Sequence, residues 1–389
     1  MKILFYLYQY PGLGGIETVT TFLANYLYDK GIEICFFSEK AEEIKMPLNP
    51  AIKFFHPKQQ NLSDSFKSVL VDENIDLVVL HDNYDADAKT ITEVLRALRI
   101  PLLVQEHSDP TGTIIGTKKY IQELKMNSLH NILWRIKNFN YISKITKKYL
   151  HRKSILINAS YKYIILSQHF KNSLEKCCPN IDVSKISVIN NPLTVPLVTA
   201  SLCNKKKEVV FISRFEGVKG IDRMLSIFAE CAVHNKDWSF CIYGDGSQRY
   251  LVEEAAKKQN NIIYKGIAYN VAEVLETASI LIMTSSFEGW GLVLTEAMAN
   301  GCIPMAFNSY LSVRDIIDDG DNGILVTPFN LNEYCRKLQA LIDSDEQRKL
   351  MATKCISKAK LFDISGKIGK QWIDIIESVL KHENSDSKH

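Results

Sequence analysis

The sequence predicts a two-part α/β protein, each part a parallel sheet covered by helices. Two observations predict it. Short apolar runs of strand length alternate with amphipathic runs of helix length, once through residues 2–189 and again through 208–307. Between them, residues 190–207 gather turn and charge signals, with Asn190-Asn191-Pro192, Pro196 and Lys205-Lys206-Lys207.

In the first part the reading is strand 2–8, helix 16–30, strand 32–37, strand 75–80, helix 86–98 and strand 101–105. A strand at 163–167 follows, then a helix opening at Gln168 and a short strand at 186–189. Strands this apolar along their whole length, such as Ile3-Leu4-Phe5, must be buried on both faces, as in parallel sheets. In the second part, strands at 208–213, 238–243, 261–264, 279–284 and 303–307 alternate with helices at 220–234, 247–258, 270–277 and 292–300. Trp372, Ile373, Ile375, Ile376, Val379 and Leu380 keep a spacing near 3.6 and predict a last helix. The expected domains are 1–195 and 205–365, with a terminal helix at 366–382 packing back toward the first domain.

Composition narrows the function classes. The chain has 389 residues, 46% of them hydrophobic and 23% charged, and a net charge of +3. Such a chain buries a sizeable core, and its charge does not point to nucleic acid. The nine cysteines show no metal-ligand spacing and several lie inside apolar runs, which predicts reduced thiols and a cytoplasmic protein. The apolar start runs into Gln9-Tyr10-Pro11 without a cleavage signature, so it reads as a strand, and no apolar run is long enough to span a bilayer.

Pro11-Gly12-Leu13-Gly14-Gly15-Ile16-Glu17 follows the first strand. Glu17 stands where a dinucleotide fingerprint needs its third glycine, which argues against an NAD enzyme. The turn still suits a phosphate at a helix start, and it equally suits a plain strand-to-helix connection. His81 and His107 each follow a strand, at the strand ends where open α/β sheets bind ligands, with Asp82 and Asp109 beside them.

In the second part, Arg214 and Lys219 share the loop Ser213–Gly220 between a strand and a helix, a spacing that lets both converge on phosphates. Read alone, the pair is also an ordinary solvated basic loop. Phe287-Glu288-Gly289-Trp290-Gly291-Leu292 joins a strand to a helix that carries Glu296. The glycines allow close backbone approach, and the helix start offers free N–H groups and a positive dipole end. Two carboxylates, one in the loop and one in the helix, suit the hydroxyls of an elongated sugar-containing ligand.

Together these segments resemble the retaining glycosyltransferases of the GT-B fold, particularly family 4. The resemblance rests on Glu288-(seven residues)-Glu296, Arg214 with Lys219-Gly220, Gly14-Gly15-Ile16-Glu17, His107, Tyr243-Gly244-Asp245-Gly246 and Asp315 to Gly323, all in the family's order over nearly the whole chain. Ser213 departs from the family's usual glycine. The resemblance implies two Rossmann-like domains facing a central cleft and a metal-independent transfer of sugar from a nucleotide-diphosphate donor, a UDP-sugar first and a GDP-sugar as the alternative. Arg214 and Lys219 would hold the diphosphate, and Glu288 the donor sugar. Backbone from Gly289, Trp290, Gly291 and Leu292 would line the sugar-phosphate, and Glu296 would bind the ribose. Gly14 and Gly15 would approach the diphosphate, Gly266-Ile267 the base, and His107 the reacting centre. Glu17, His81, Asp82 and Asp109 fall on the acceptor side. No metal site and no cofactor is expected.

The resemblance further suggests a saccharide or lipid-linked acceptor in surface polysaccharide or lipopolysaccharide assembly. The basic stretch 118–153, from Lys118, Lys119 and Lys125 to Arg152 and Lys153, carries interleaved apolar residues. It reads as a peripheral contact with anionic membrane or as a solvated helical insertion. A glycoside hydrolase fits less well, because Glu288 and Glu296 would lie about 12 Å apart on a continuous helix. An epimerase or phosphorylase on the same fold, or a non-catalytic nucleotide-sugar binder, remains as the alternative.

Overall fold

The computed structural model describes residues 1–12, 14–44, 46–57, 61–82, 87–112, 144, 146–178, 181–197 and 205–386, with side chains to 381. Most of the basic stretch 118–153 lies outside them. Two compact units emerge: Met1–Asn190 with Gly369–His389, and Asn191–Ile368.

The first unit runs β1 (Lys2–Gln9), α1 (Gly15–Asp29), β2 (Glu33–Lys40), β3 (Lys53–Phe55), α2 (Leu62–Asp72), β4 (Leu77–Asp82), α3 (Ala88–Leu98) and β5 (Leu102–Glu106). Helix α4 (146–159), β6 (Lys162–Ile165), α5 (Gln168–Cys177) and β7 (Ile186–Val188) complete it. Its sheet has the order β3-β2-β1-β4-β5-β6-β7, with every pairing parallel. Ile3, Leu4, Phe5, Leu77, Val78 and Val79 have no exposed surface, as their unbroken apolarity demands.

The second unit runs β8 (Glu208–Ile212), α6 (Ile221–His234), β9 (Ser239–Tyr243), α7 (Arg249–Lys258), β10 (Ile262–Gly266), α8 (Val271–Thr277) and β11 (Ile280–Met283). It continues through α9 (Leu292–Ala299), β12 (Ile303–Phe307), α10 (Val313–Ile316), β13 (Ile324–Val326), α11 (Leu331–Asp343) and α12 (Asp345–Ala359). The sheet order is β10-β9-β8-β11-β12-β13, again all parallel.

Both sheets reverse their winding at one point, between β1 and β4 in the first unit and between β8 and β11 in the second. Loops leaving the two strands at such a point turn to opposite faces, so a crevice opens at their carboxyl ends. The glycine-rich turn follows β1 and His81 lies one residue before the end of β4; the loops bearing Lys219 and Glu288 follow β8 and β11.

The final helix, α13 (Gly369–Asp386), belongs to the first unit, where it packs against α1 and accepts a hydrogen bond from Tyr161 Oη at the Ser378 carbonyl, 3.4 Å away. Trp372, Ile376 and Val379 are buried along it. No described helix is long and apolar enough to cross a membrane.

Candidate active site

In the second unit, the loops after β8 and β11 are laced together by backbone. Ser286 N–H donates to the Val218 carbonyl at 2.8 Å, and Thr284 Oγ1 donates to the carbonyls of Lys219 and Gly220 at 2.9 and 2.8 Å. Arg223 closes the lace from α6, its guanidinium donating twice to the Thr284 carbonyl at 3.1 Å. This scaffold brings Lys219 Nζ to 2.6 Å from Glu288 Oε1, with both side chains largely shielded at 17% and 13% exposure. Arg214 lies exposed on the same loop as Lys219. Gly291 caps α9 in the left-handed region, at φ 94°, and the helix start follows Glu288 by four residues. A cation, a carboxylate and a helix N-terminus thus share one rim of the sheet, an arrangement chemically suited to a polar ligand carrying both phosphate and hydroxyls.

In the first unit, His81 is the penultimate residue of β4 with no exposed surface, and His107 follows β5 at 8% exposure. His81 Nδ1 lies 3.0 Å from His107 Nε2 and 3.1 Å from Thr20 Oγ1 of α1. The rings stack at 5.3 Å with a 22° tilt, and Phe5 packs on His81 at 4.8 Å. Burial pushes His107 down to about 4, against a small upward pull from Asp82. Burial also holds His81 well below the usual histidine range, helped by His107.

Two family models match this chain. One describes glycosyl transferases group 1 and covers residues 200–358; the other describes glycosyltransferase family 4 and covers 13–195. An uncharacterized glycosyltransferase of Haemophilus influenzae is 23% identical over 96% of this chain and 99% of its own length. Among solved structures, Anabaena HepE in complex with UDP and glucose superposes with a TM-score of 0.74 at 18% identity, over 97% of this chain and all of HepE. The lipopolysaccharide outer core galactosyltransferase WaaB, in its apo form, gives 0.69 at 19% identity over 97% and 99% of the chains. The chain is a GT-B glycosyltransferase of the family 4 type. Its two parallel-sheet units are the two Rossmann-like domains of that fold.

Several residues of this glycosyltransferase differ in place from the sequence reading. Asp82 does not reach an acceptor. It is fully buried and bound by both arms of Arg152, at 2.8 and 2.6 Å, and by Lys153 Nζ at 3.0 Å. Burial alone would raise its pKa, but Lys153 and Arg152 outweigh it and hold the carboxylate ionised. Lys153 also binds Glu106, which accepts from Tyr163 Oη and Ser108 Oγ, each at 2.7 Å. Parallel register explains the cluster, because Asp82 and Glu106 are cross-strand neighbours and one cation bridges them. Arg152 and Lys153 are therefore unavailable to a membrane surface, which corrects the basic stretch at its end. Sequence reasoning missed Glu106 and assigned Lys153 outward; a charged residue closing an apolar strand was the available signal.

His81, with no exposed surface, touches no acceptor itself, and Asp109 closes a local turn. Asp109 accepts from Thr111 N–H and Oγ1 at 2.8 and 2.7 Å, and burial raises its pKa against those bonds. The Glu17 carboxylate folds back on the glycine-rich turn. A Cβ on Gly14 would stand 2.2 Å from Glu17 Oε2, so a carboxylate already lies beside the positive end of α1. The Trp290 ring is buried against Phe362 at 5.6 Å, leaving only its backbone for a ligand. Glu296 accepts from Thr194 Oγ1, and burial raises its pKa against that bond. Ile267 is 47% exposed beside Gly266, whose φ of 74° turns the chain after β10. Among described residues no cluster of three or more His, Cys, Asp or Glu stands ready to hold a metal.

Proposed function

We propose that this glycosyltransferase moves a hexose or N-acetylhexosamine from a UDP-sugar to a saccharide or lipid-linked saccharide, retaining the anomeric configuration without a metal. The observation that carries the reading is the Lys219–Glu288 pair beside the α9 N-terminus, with Arg214 on the same loop. Lys219, Arg214 and the helix start neutralise the departing diphosphate, the charge that grows as the anomeric C–O bond breaks. Glu288 holds donor-sugar hydroxyls, and Glu296 exchanges its Thr194 partner for ribose hydroxyls. The acceptor oxygen bonds to the anomeric carbon on the face the diphosphate leaves, and its proton passes to the leaving phosphate oxygen. HepE with UDP and glucose supports a UDP-sugar donor, and WaaB supports lipopolysaccharide or surface-polysaccharide assembly. The basic residues from Lys118 to Lys148 would hold the enzyme to an anionic cytoplasmic leaflet near a lipid-linked acceptor.

The test is a thermal-shift screen of UDP- and GDP-sugars, followed by acceptor-dependent release of nucleoside diphosphate with and without EDTA. A stabilising donor should appear, and Lys219→Ala should slow transfer by about 100-fold or more with an unchanged circular-dichroism spectrum. NMR of the product should show the donor's anomeric configuration. Full activity in Lys219→Ala sinks the donor-site reading, inversion sinks the retaining one, and loss of activity in EDTA sinks metal independence. Failure to co-sediment with anionic vesicles removes the membrane contact.

A further inference from the structure

His81 is a polar side chain with no exposed surface, set directly behind His107. A hydrogen bond of 3.0 Å between His81 Nδ1 and His107 Nε2 needs one proton between them. Which ring carries it follows from the far side of His81. Its Nε2 is buried and meets no hydrogen-bond partner among the described residues. A proton there would leave a buried N–H unpaired, which folded proteins almost never tolerate; a bare ring lone pair is the lesser cost. The His81 proton therefore sits on Nδ1. From Nδ1 it points at His107 Nε2, with Thr20 Oγ1 as second acceptor at 3.1 Å. His107 Nε2 must then be a lone pair, and the proton of that ring must be on Nδ1.

We propose that His81 is a positioning residue that locks His107 in the Nδ1–H tautomer, so that His107 meets the substrate as a neutral hydrogen-bond donor rather than as a base. This rests on the reading, implied by the family resemblance, of His107 as a group at the reacting centre, and deepens it. The only lone pair of His107 is engaged by His81, so a hydroxyl of the acceptor cannot lose its proton to it. The remaining N–H suits a sugar hydroxyl or a phosphoryl oxygen.

The surroundings keep the pair uncharged. Asp82 adjoins His81 in sequence, and its charge is met by Arg152 and Lys153. Glu106, next to His107, is met by Lys153 and Tyr163. From β1 the neighbour is the Phe5 ring, and from α1 it is Thr20, with Glu17 one turn earlier.

The experiment is a long-range proton–nitrogen correlation spectrum of protein labelled with 15N-histidine, from pH 6 to 8, with His107→Asn and His81→Asn used for assignment. His107 should show the neutral Nδ1–H pattern throughout. In His81→Phe, which keeps ring volume but donates nothing, it should shift toward the Nε2–H form. Transfer should fall by up to about 100-fold in kcat with KM for the donor little changed. His81→Asn, whose amide N–H falls near the original Nδ1–H, should recover most of it. An Nε2–H or cationic His107 in the wild type overturns the proposal, as does an unchanged tautomer in folded His81→Phe. The wild-type spectrum decides even if His81→Phe does not fold. It also reads the tautomer whether or not a transfer substrate is found, so failure here is distinct from failure of the glycosyltransfer reading.

Discussion

At the scale of residues, what separates the two candidate regions is how charge is handled. In the second unit Lys219 and Glu288 are largely shielded but keep 17% and 13% of their side-chain surface exposed, so a ligand can reach the pair and take over its partners. In the first unit Asp82, Glu106 and Lys153 are closed away, and removing one partner would strand the others; a loss of about 3–5 kcal/mol is the ordinary consequence. The histidine pair makes a pH prediction. His107 has its folded pKa lowered to about 4, from an ordinary 6.5, because burial disfavours the cation. Between those values the unfolded chain binds the proton and the folded one does not, so stability rises with pH. It should fall as pH drops from about 6.5 toward 4, with His107 alone contributing about 2 kcal/mol of loss at pH 5. Urea unfolding of wild type and His107→Asn at pH 7 and pH 5 measures the difference. An equal pH dependence in both would refute the assignment.

At the scale of elements, the strand-to-helix turns are where the chain has least freedom. Gly244, at φ 141°, lies so close to the loop after β8 that a Cβ there would stand 1.8 Å from the Ser213 carbonyl oxygen. Gly266, at φ 74°, has nothing within 4 Å of that position. The contrast gives a graded expectation. Gly266→Ala should cost about 1–2 kcal/mol, the price of a left-handed backbone alone. Gly244→Ala adds a backbone collision and should cost clearly more, and it should also weaken donor binding by displacing the Ser213–Gly220 loop. Chemical denaturation of the two variants checks the order; equal losses would mean that the loop after β8 yields freely. The same turns explain which elements the sequence reading found. Strands closed by glycine turns fell within a residue or two of their observed bounds. The edge strand β3 has only three residues, too few to show a period, and α12 is mostly polar, with Met351, Ala352, Cys355 and Ala359 as its buried stripe.

At the scale of the whole molecule, the first unit is built from two stretches of chain, Met1–Asn190 and Gly369–His389. Trp372, Ile376 and Val379 bury fully, and each such side chain contributes about 1.5–3 kcal/mol by leaving water. Ending the chain after Ile368 should therefore destabilise the first unit and leave the second folded. Calorimetry of the truncated protein should show one lowered transition and one transition still raised by UDP. Loss of both transitions would mean that the units do not unfold separately.

Local pattern alone indicated the alternation of strands and helices, a joint somewhere in residues 190–207, and the loops that carry Arg214, Lys219, Glu288 and His107, because strand and helix periods and turn glycines act over a few residues. The tertiary structure decided what those loops face. Parallel register set Asp82 beside Glu106 and turned Arg152 and Lys153 inward. The reversal of sheet order brought Lys219 to Glu288, 69 residues away. Burial and partners depend on contacts between distant parts of the chain, and no local period records them.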